Sequence, residues 1–157
     1  MNGRQLMCVI NCDPEMKQKV IGVFARDQLP GKSEDGPIGM IVNTDTRDKP
    51  GTHWLAIYLE KGVGEFFDSC GRAPDYYSFD FNFKFNDKRL QSSTSNVCGQ
   101  YCLYYLMQRC RNVPMQDIVN SFSDNYAVND DFVAEIIQNV FSCCFESIEG
   151  QACCAEQ

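Results

Sequence analysis

The chain has 157 residues, enough for one domain with a hydrophobic core that folds without a disulfide scaffold. Its formal charge is −7 and its lysines and arginines are dispersed rather than striped, so the electrostatic footprint of a phosphate-backbone binder is missing. Nucleic acid is therefore not expected as a partner, and a basic substrate or partner peptide suits the sign better.

In chain order, "QLMCVINC" (5–12) is a weakly apolar segment. "DPEMKQKV" (13–20) offers Asp13 as an N-cap, Pro14 at the first helical position and Glu15 in the first turn, which predicts a short helix. Pro30-Gly31 and Gly36-Pro37 mark 29–37 as an exposed loop. "GMIVNT" and "HWLAIYLE" are short β-branched and aromatic runs separated by the polar turn "DTRDKPG". "GEFFDSCG" follows the turn Gly62-Val63-Gly64 and predicts a hairpin. Phe79, Phe81, Phe83 and Phe85 alternate with polar residues, the period of a half-buried strand and the clearest strand pattern in the chain. From Gly99 the apolar residues recur at spacings of three and four, which predicts a largely buried helix. Pro114 opens another short helix, and "NDDFVAEIIQNVF" has Asn129 as cap with Asp130 and Asp131 in the first turn. The expected architecture is α+β, a mainly antiparallel central sheet flanked by helices. Residues 1–142 form the single domain, and the cysteine-rich tail 143–157, which has no sustained periodicity, is expected to be loosely ordered.

No basic segment leads into an apolar run with a small-residue cleavage site, and no stretch approaches the about 20 apolar residues that span a bilayer. A soluble intracellular protein with no membrane partner is expected. Ten cysteines are scattered or bunched late rather than set out as a secreted framework, so reduced thiols are expected. The pairs Cys143-Cys144 and Cys153-Cys154 fit no zinc ribbon or finger spacing, and His53, the one histidine, is far from them; neither metal nor cofactor is expected.

A nucleophilic thiol needs a base, a group that orients the base, and donors for the oxyanion formed on attack. Cys98 stands where the chain enters a helix, and unpaired amides with the positive dipole end lower a thiol pKa there. Cys102 and Cys110 lie inside the same helix and suit packing. His53 heads a strand at the end of a turn, and Asp68 is the first carboxylate beyond the paired strand. Other roles stay open on the residues alone: His53 as a turn histidine, Trp54 as core, Asn43 as a turn cap, and Ser92 or Ser93 instead of Gln91 as a donor.

"ARDQLP", "IVNTDTRDKPGTHWLAIY", "FFDSCG" and "LQSSTSNVCGQYCLYYL" together resemble the adenovirus-type (adenain-like) cysteine endopeptidases, whose clan includes the proteases of SUMO and other ubiquitin-like proteins. The resemblance spans roughly 20–110 and keeps the family's order of His, acid, Gln and Cys. It implies the adenain-like fold, with Cys98 as nucleophile, His53 as general base and acid, Asp68 as orienting carboxylate, and Gln91 as oxyanion donor beside the Cys98 amide. It also implies a narrow substrate cleft bordered by Trp54, Asn43 and Gly99 that admits small residues, hence a protein or peptide substrate cut at a glycine-containing site. The implied setting is a viral or virus-derived maturation protease acting in host cytoplasm, nucleus or virion. Family members are activated by a peptide disulfide-bonded to a cysteine upstream of the Gln; residues 75–90 hold none and Cys70 is the nearest, so an activating peptide stays an open partner. Family members also use DNA as a cofactor, which the acidic balance argues against here. The alternatives are a deconjugating isopeptidase of the same clan and a catalytically silent binding module.

Overall fold

The computed structural model describes residues 1–31 and 36–148, the side chains of 143–148 excepted. Helix α1 (Gly3–Cys12) is nucleated by a capping box in which the Asn2 side chain accepts the Gln5 amide and the Gln5 side chain accepts the Asn2 amide. The "weakly apolar" 5–12 segment is thus helical, its apolar positions Leu6, Val9 and Ile10 buried on one face. Helix α2 (Pro14–Lys19) begins as expected, with Asp13 Oδ1 accepting the Glu15 and Met16 amides. Strand β1 (Val20–Phe24) follows directly, unannounced by the sequence pattern. Within the loop expected at 29–37, residues 32–35 lie outside the described residues.

Strands β2 (Ile38–Asn43), β3 (Trp54–Glu60) and β4 (Val63–Phe67) form an antiparallel meander, and the β3–β4 turn places Lys61 and Gly62 at positive φ, as a tight hairpin requires. Sheet order is β1-β2-β3-β4-β5, with β1 and β5 (Lys84–Phe85) pairing in parallel at the edges. The fold is α+β, but the sheet is mixed rather than mainly antiparallel. The Phe79–Phe85 run is a correction: only Lys84 and Phe85 pair as strand. Phe79, Phe81 and Phe83 instead stack ring on ring, with centroids 5.0 and 4.8 Å apart. A Cβ at Gly64 would lie 2.2 Å from the Phe83 ring, so the strip lies flat against β4. The alternation reflects a strip of rings covering a sheet face, a pattern that needs no backbone ladder.

Period-two alternation along the strands divides the core. Ile41, Ala56, Tyr58 and Phe67 face the helices, while Met40, Val42, Leu55, Ile57 and Phe66 face the Phe79 strip. On the helical side α3 (Cys98–Arg109) lies against β3, flanked by α1, α4 (Met115–Asn120) and α5 (Tyr126–Ile148). Asn129 does not cap α5. The helix starts three residues earlier, the Asn125 side chain accepts the Val128 amide, and Asn129 is buried inside the first turns. The α5 backbone runs through Ile148, so the boundary expected at 142/143 falls within a helix; 149–157 lie outside the described residues. Cys12 is disulfide-bonded, which departs from the expectation of reduced thiols throughout. Cys70, Cys98, Cys102 and Cys110 are free thiols. Among the described residues no helix is long and apolar enough to cross a membrane.

Candidate active site

The β3–β4 register pairs Ala56 with Phe67, so the chain entering β3 at His53 runs beside the chain leaving β4 at Asp68. His53 Nε2 and Asp68 Oδ1 are 2.7 Å apart, and the backbone carbonyl of His53 accepts the Thr44 amide at 3.0 Å. Helix α3 packs on β3 with its first residue, Cys98, at this same end of the sheet. His53, Cys98 and Gln91 all line one cleft, and Asp68 is fully buried behind His53.

Asp68 accepts from four donors. Oδ1 takes His53 and the Cys70 amide (2.9 Å); Oδ2 takes the Tyr77 hydroxyl (2.7 Å) and the Arg72 amide (3.2 Å). Its backbone is clamped by Asn86, whose side chain accepts the Asp68 amide and donates to the Asp68 carbonyl. Burial pushes the carboxyl pKa up, but the His53 hydrogen bond and charge, then Tyr77 and the Cys70 amide, hold it below the ordinary value. Burial likewise opposes charge on His53, yet hydrogen bonding with Asp68, then Cys70 and Cys98, raises its pKa from 6.5 to about 11. The Tyr77 ring lies over the imidazole at 5.8 Å between centroids, fixing its plane.

The Cys98 thiol is held below the ordinary value of 9.0. Burial works against this, but the His53 hydrogen bond, the Trp54 and Gly99 amides, and the His53 charge prevail. Val97 supplies no side-chain cap, so the first turn of α3 keeps amides without an intrahelical acceptor. The other helical thiols go the opposite way: burial lifts Cys102 well above its ordinary value and Cys110 to about 11. With Nε2 engaged by Asp68, Nδ1 is the imidazole nitrogen left to exchange a proton with the thiol.

Gln91 is nearly fully buried and oriented at both ends. Oε1 accepts the Ser69 hydroxyl at 2.6 Å, and Nε2 donates to the carbonyl and hydroxyl oxygens of Ser95, each at 3.1 Å. An oxyanion role would have Nε2 exchange the Ser95 hydroxyl, which itself donates to the Ser92 carbonyl at 3.3 Å, for the developing charge. Gly71 brings Gln91 to the Asp68 loop: at φ +72, a Cβ there would sit 2.7 Å from backbone atoms of Lys88 and Arg89. Asn43 lines the cleft, and its Oδ1 also caps the turn after β2 by accepting the Asp45 amide. Trp54 donates its indole N–H to the Met1 carbonyl and borders the cleft; a Cβ at Gly99 would meet Leu6 and Trp54 at 3.2 and 3.4 Å.

No family model and no curated protein matches the chain. Sequence reasoning missed Tyr77, Ser69, Asn86 and the closeness of Cys70. "FFDSCG" brought Ser69 and Cys70 near in sequence, whereas nothing local announces Tyr77, which reaches Asp68 from a 3-10 turn at Pro74–Tyr77. Ligand atoms of His53, Asp68 and Cys70 lie within 4.8 Å of one another, the closeness a cation needs. A metal there would have to displace the His53–Asp68 bond and add to a carboxylate that already accepts four donors.

Proposed function

We propose that the protein is a cysteine endopeptidase of the adenain type, cutting polypeptides at small, glycine-containing sites. The observation that carries this reading is the convergence of a pKa-depressed Cys98 at a helix N-terminus with a His53 that a buried Asp68 orients at 2.7 Å. The Cys98 thiolate attacks the scissile carbonyl carbon, and the carbonyl π pair moves onto oxygen. The Cys98 amide and the Gln91 side chain stabilise that oxyanion. As the C–N bond breaks, the His53 imidazolium gives its proton to the leaving amine, and a thioester remains. His53 then takes a proton from water, the hydroxide adds to the thioester, and the thiolate leaves with the carboxylic product freed.

Incubation with glycine-containing peptides and with a vinyl-sulfone probe built on a ubiquitin-like protein tests the reading. Peptide cleavage that disappears in Cys98→Ala supports it. Strong probe labelling of Cys98 without peptide cleavage would replace it by the deconjugating isopeptidase. A thiol no more reactive than an ordinary one would leave a binding module.

A further inference from the structure

The charge of the cleft is opposite to that of the chain. Arg26, Arg47, Lys49, Arg72 and Arg89 line it, five of the 14 lysines and arginines, while among the described residues Asp45 is the one carboxylate that does so. Asp45 is engaged by the Thr52 hydroxyl. Asp27 and Asp48 stand nearby without lining the cleft: Asp27 accepts the Arg47 amide, and Asp48 takes the Thr46 hydroxyl. Outside the cleft, Lys19, Lys88, Arg109 and Arg111 each sit within 4.0 Å of a carboxylate, whereas Arg4, Lys17, Lys61 and Lys84 do not; among the described residues none of the five cleft cations does either, and what sets the five apart is their gathering in one cleft with a single carboxylate.

Three of the five are also held in place by something other than acids. Arg26 donates to the carbonyls of Thr44 and Ser78 and lies 4.4 Å over the Phe79 ring. Arg72 lies 4.2 Å over Tyr76, and Arg89 donates to the Gln91 carbonyl, which ties it to the oxyanion side of the site. Sheet order sets out two banks. Because β3 runs between β2 and β4, the loop leaving β2 carries Arg47 and Lys49 on one side of His53. The loop leaving β4 carries Arg72 on the other, next to Arg89.

Resting on the protease reading above, we infer that the natural substrate is an extended segment carrying aspartate or glutamate on both sides of the scissile small residue, with the two basic banks as its specificity determinants. Each exposed charge pair contributes a factor of about 1.4 to 5. Three such pairs near the middle of that range compound to about tenfold in affinity, and salt screens them as the Debye length falls from about 10 Å at 0.1 M to about 3 Å at 1 M. The same banks admit a negatively charged backbone of another kind, which the test separates.

The test uses the Cys98→Ala protein, or Cys98→Ser should the alanine variant not fold. Fluorescence anisotropy measures its binding to three peptides that share a Gly-Gly core and differ only in flanking Glu, Gln or Lys, and to a short single-stranded DNA. The expected result is Glu peptide bound about tenfold tighter than Gln peptide, the ratio falling toward one in 1 M salt and in Arg47→Gln/Lys49→Gln and Arg72→Gln. Equal binding of Glu and Gln peptides, a preference for Lys, or tighter binding of the DNA than of the Glu peptide overturns it. Cleavage by the wild-type protein is read separately. Cleavage without charge preference sinks this inference and spares the protease, whereas charge-selective binding without cleavage sinks the protease and supports the charged cleft.

Discussion

Asp68, the orienting carboxylate of the proposed protease, is also a structural one. Four donors converge on this fully buried carboxylate, so an amide in its place keeps one acceptor oxygen and turns an NH2 toward groups that themselves donate. Asp68→Asn is expected to lower kcat/KM by about 10²- to 10⁴-fold and also to destabilise the fold by about 2–4 kcal/mol. Urea denaturation beside steady-state kinetics separates the two effects. At Cys98 the opposing influences are burial, which raises the pKa, and His53, which lowers it. Iodoacetamide alkylation of the wild-type protein should titrate below pH 9.0, and His53→Ala should move that titration upward, since only burial and the amides then remain. Cys102 and Cys110, their pKa values raised, should stay slow throughout that range. A fast thiol that survives Cys98→Ala would exclude Cys98 as the nucleophile.

At the scale of elements, α3 is pinned at its far end so that its near end can present the thiol. Arg109 pairs with Glu65 at 2.8 Å, Tyr105 donates to the same carboxylate at 2.6 Å, and the guanidinium lies 4.2 Å over Tyr58 of β3. Helix α5 holds the other approach to the site. Asn129 donates to the carbonyls of Leu90 and Ser123 and accepts the Ser123 amide, while Asp130 accepts the Tyr101 hydroxyl at 2.8 Å. These residues, legible in sequence only as a cap and first-turn acids, join α5 to α3 and to the segment that carries Gln91. Asn129→Ala should therefore cost about 1–3 kcal/mol in urea denaturation, because it strands buried backbone groups. It should also lower kcat/KM although Asn129 touches no reacting atom. A full loss of stability with unchanged turnover would show that α5 does not position Gln91.

For the whole molecule, pH links these groups to stability. Asp68 has a depressed folded pKa, so its contribution is present above 3.8 and is lost as pH falls through the folded value. His53 has a raised one, so its contribution is fully present below 6.5 and is lost as pH rises through the folded value near 11. Cys98, depressed below 9.0, gains as pH rises toward 9.0. Where the folded pair is thiolate and imidazolium and the unfolded pair is thiol and imidazole, both states hold one proton, and the two slopes cancel. Wild-type unfolding free energies from urea should therefore fall less steeply between pH 6.5 and 9 than those of Cys98→Ala, which should decline there by up to about 1.4 kcal/mol per pH unit, exposing the His53 slope alone. A flat Cys98→Ala profile would mean that His53 is not held protonated. What the sequence determined by itself was local: the Asp13-Pro14 helix start, the apolar runs of β2 to β4, the helical period after Cys98, and which of the chain's few chemically apt residues stand at element ends. Tertiary structure decided what depends on neighbours distant in the chain. It turned the Phe79 alternation from a strand into a stacked strip, made Asn129 an anchor instead of a cap, and brought Tyr77 onto Asp68. It also gathered five cations from four loops into one cleft of an acidic protein. Periodicity reports which face of a segment is apolar, but hydrogen-bond partners and local potential are sums over residues that only folding brings within a few ångströms.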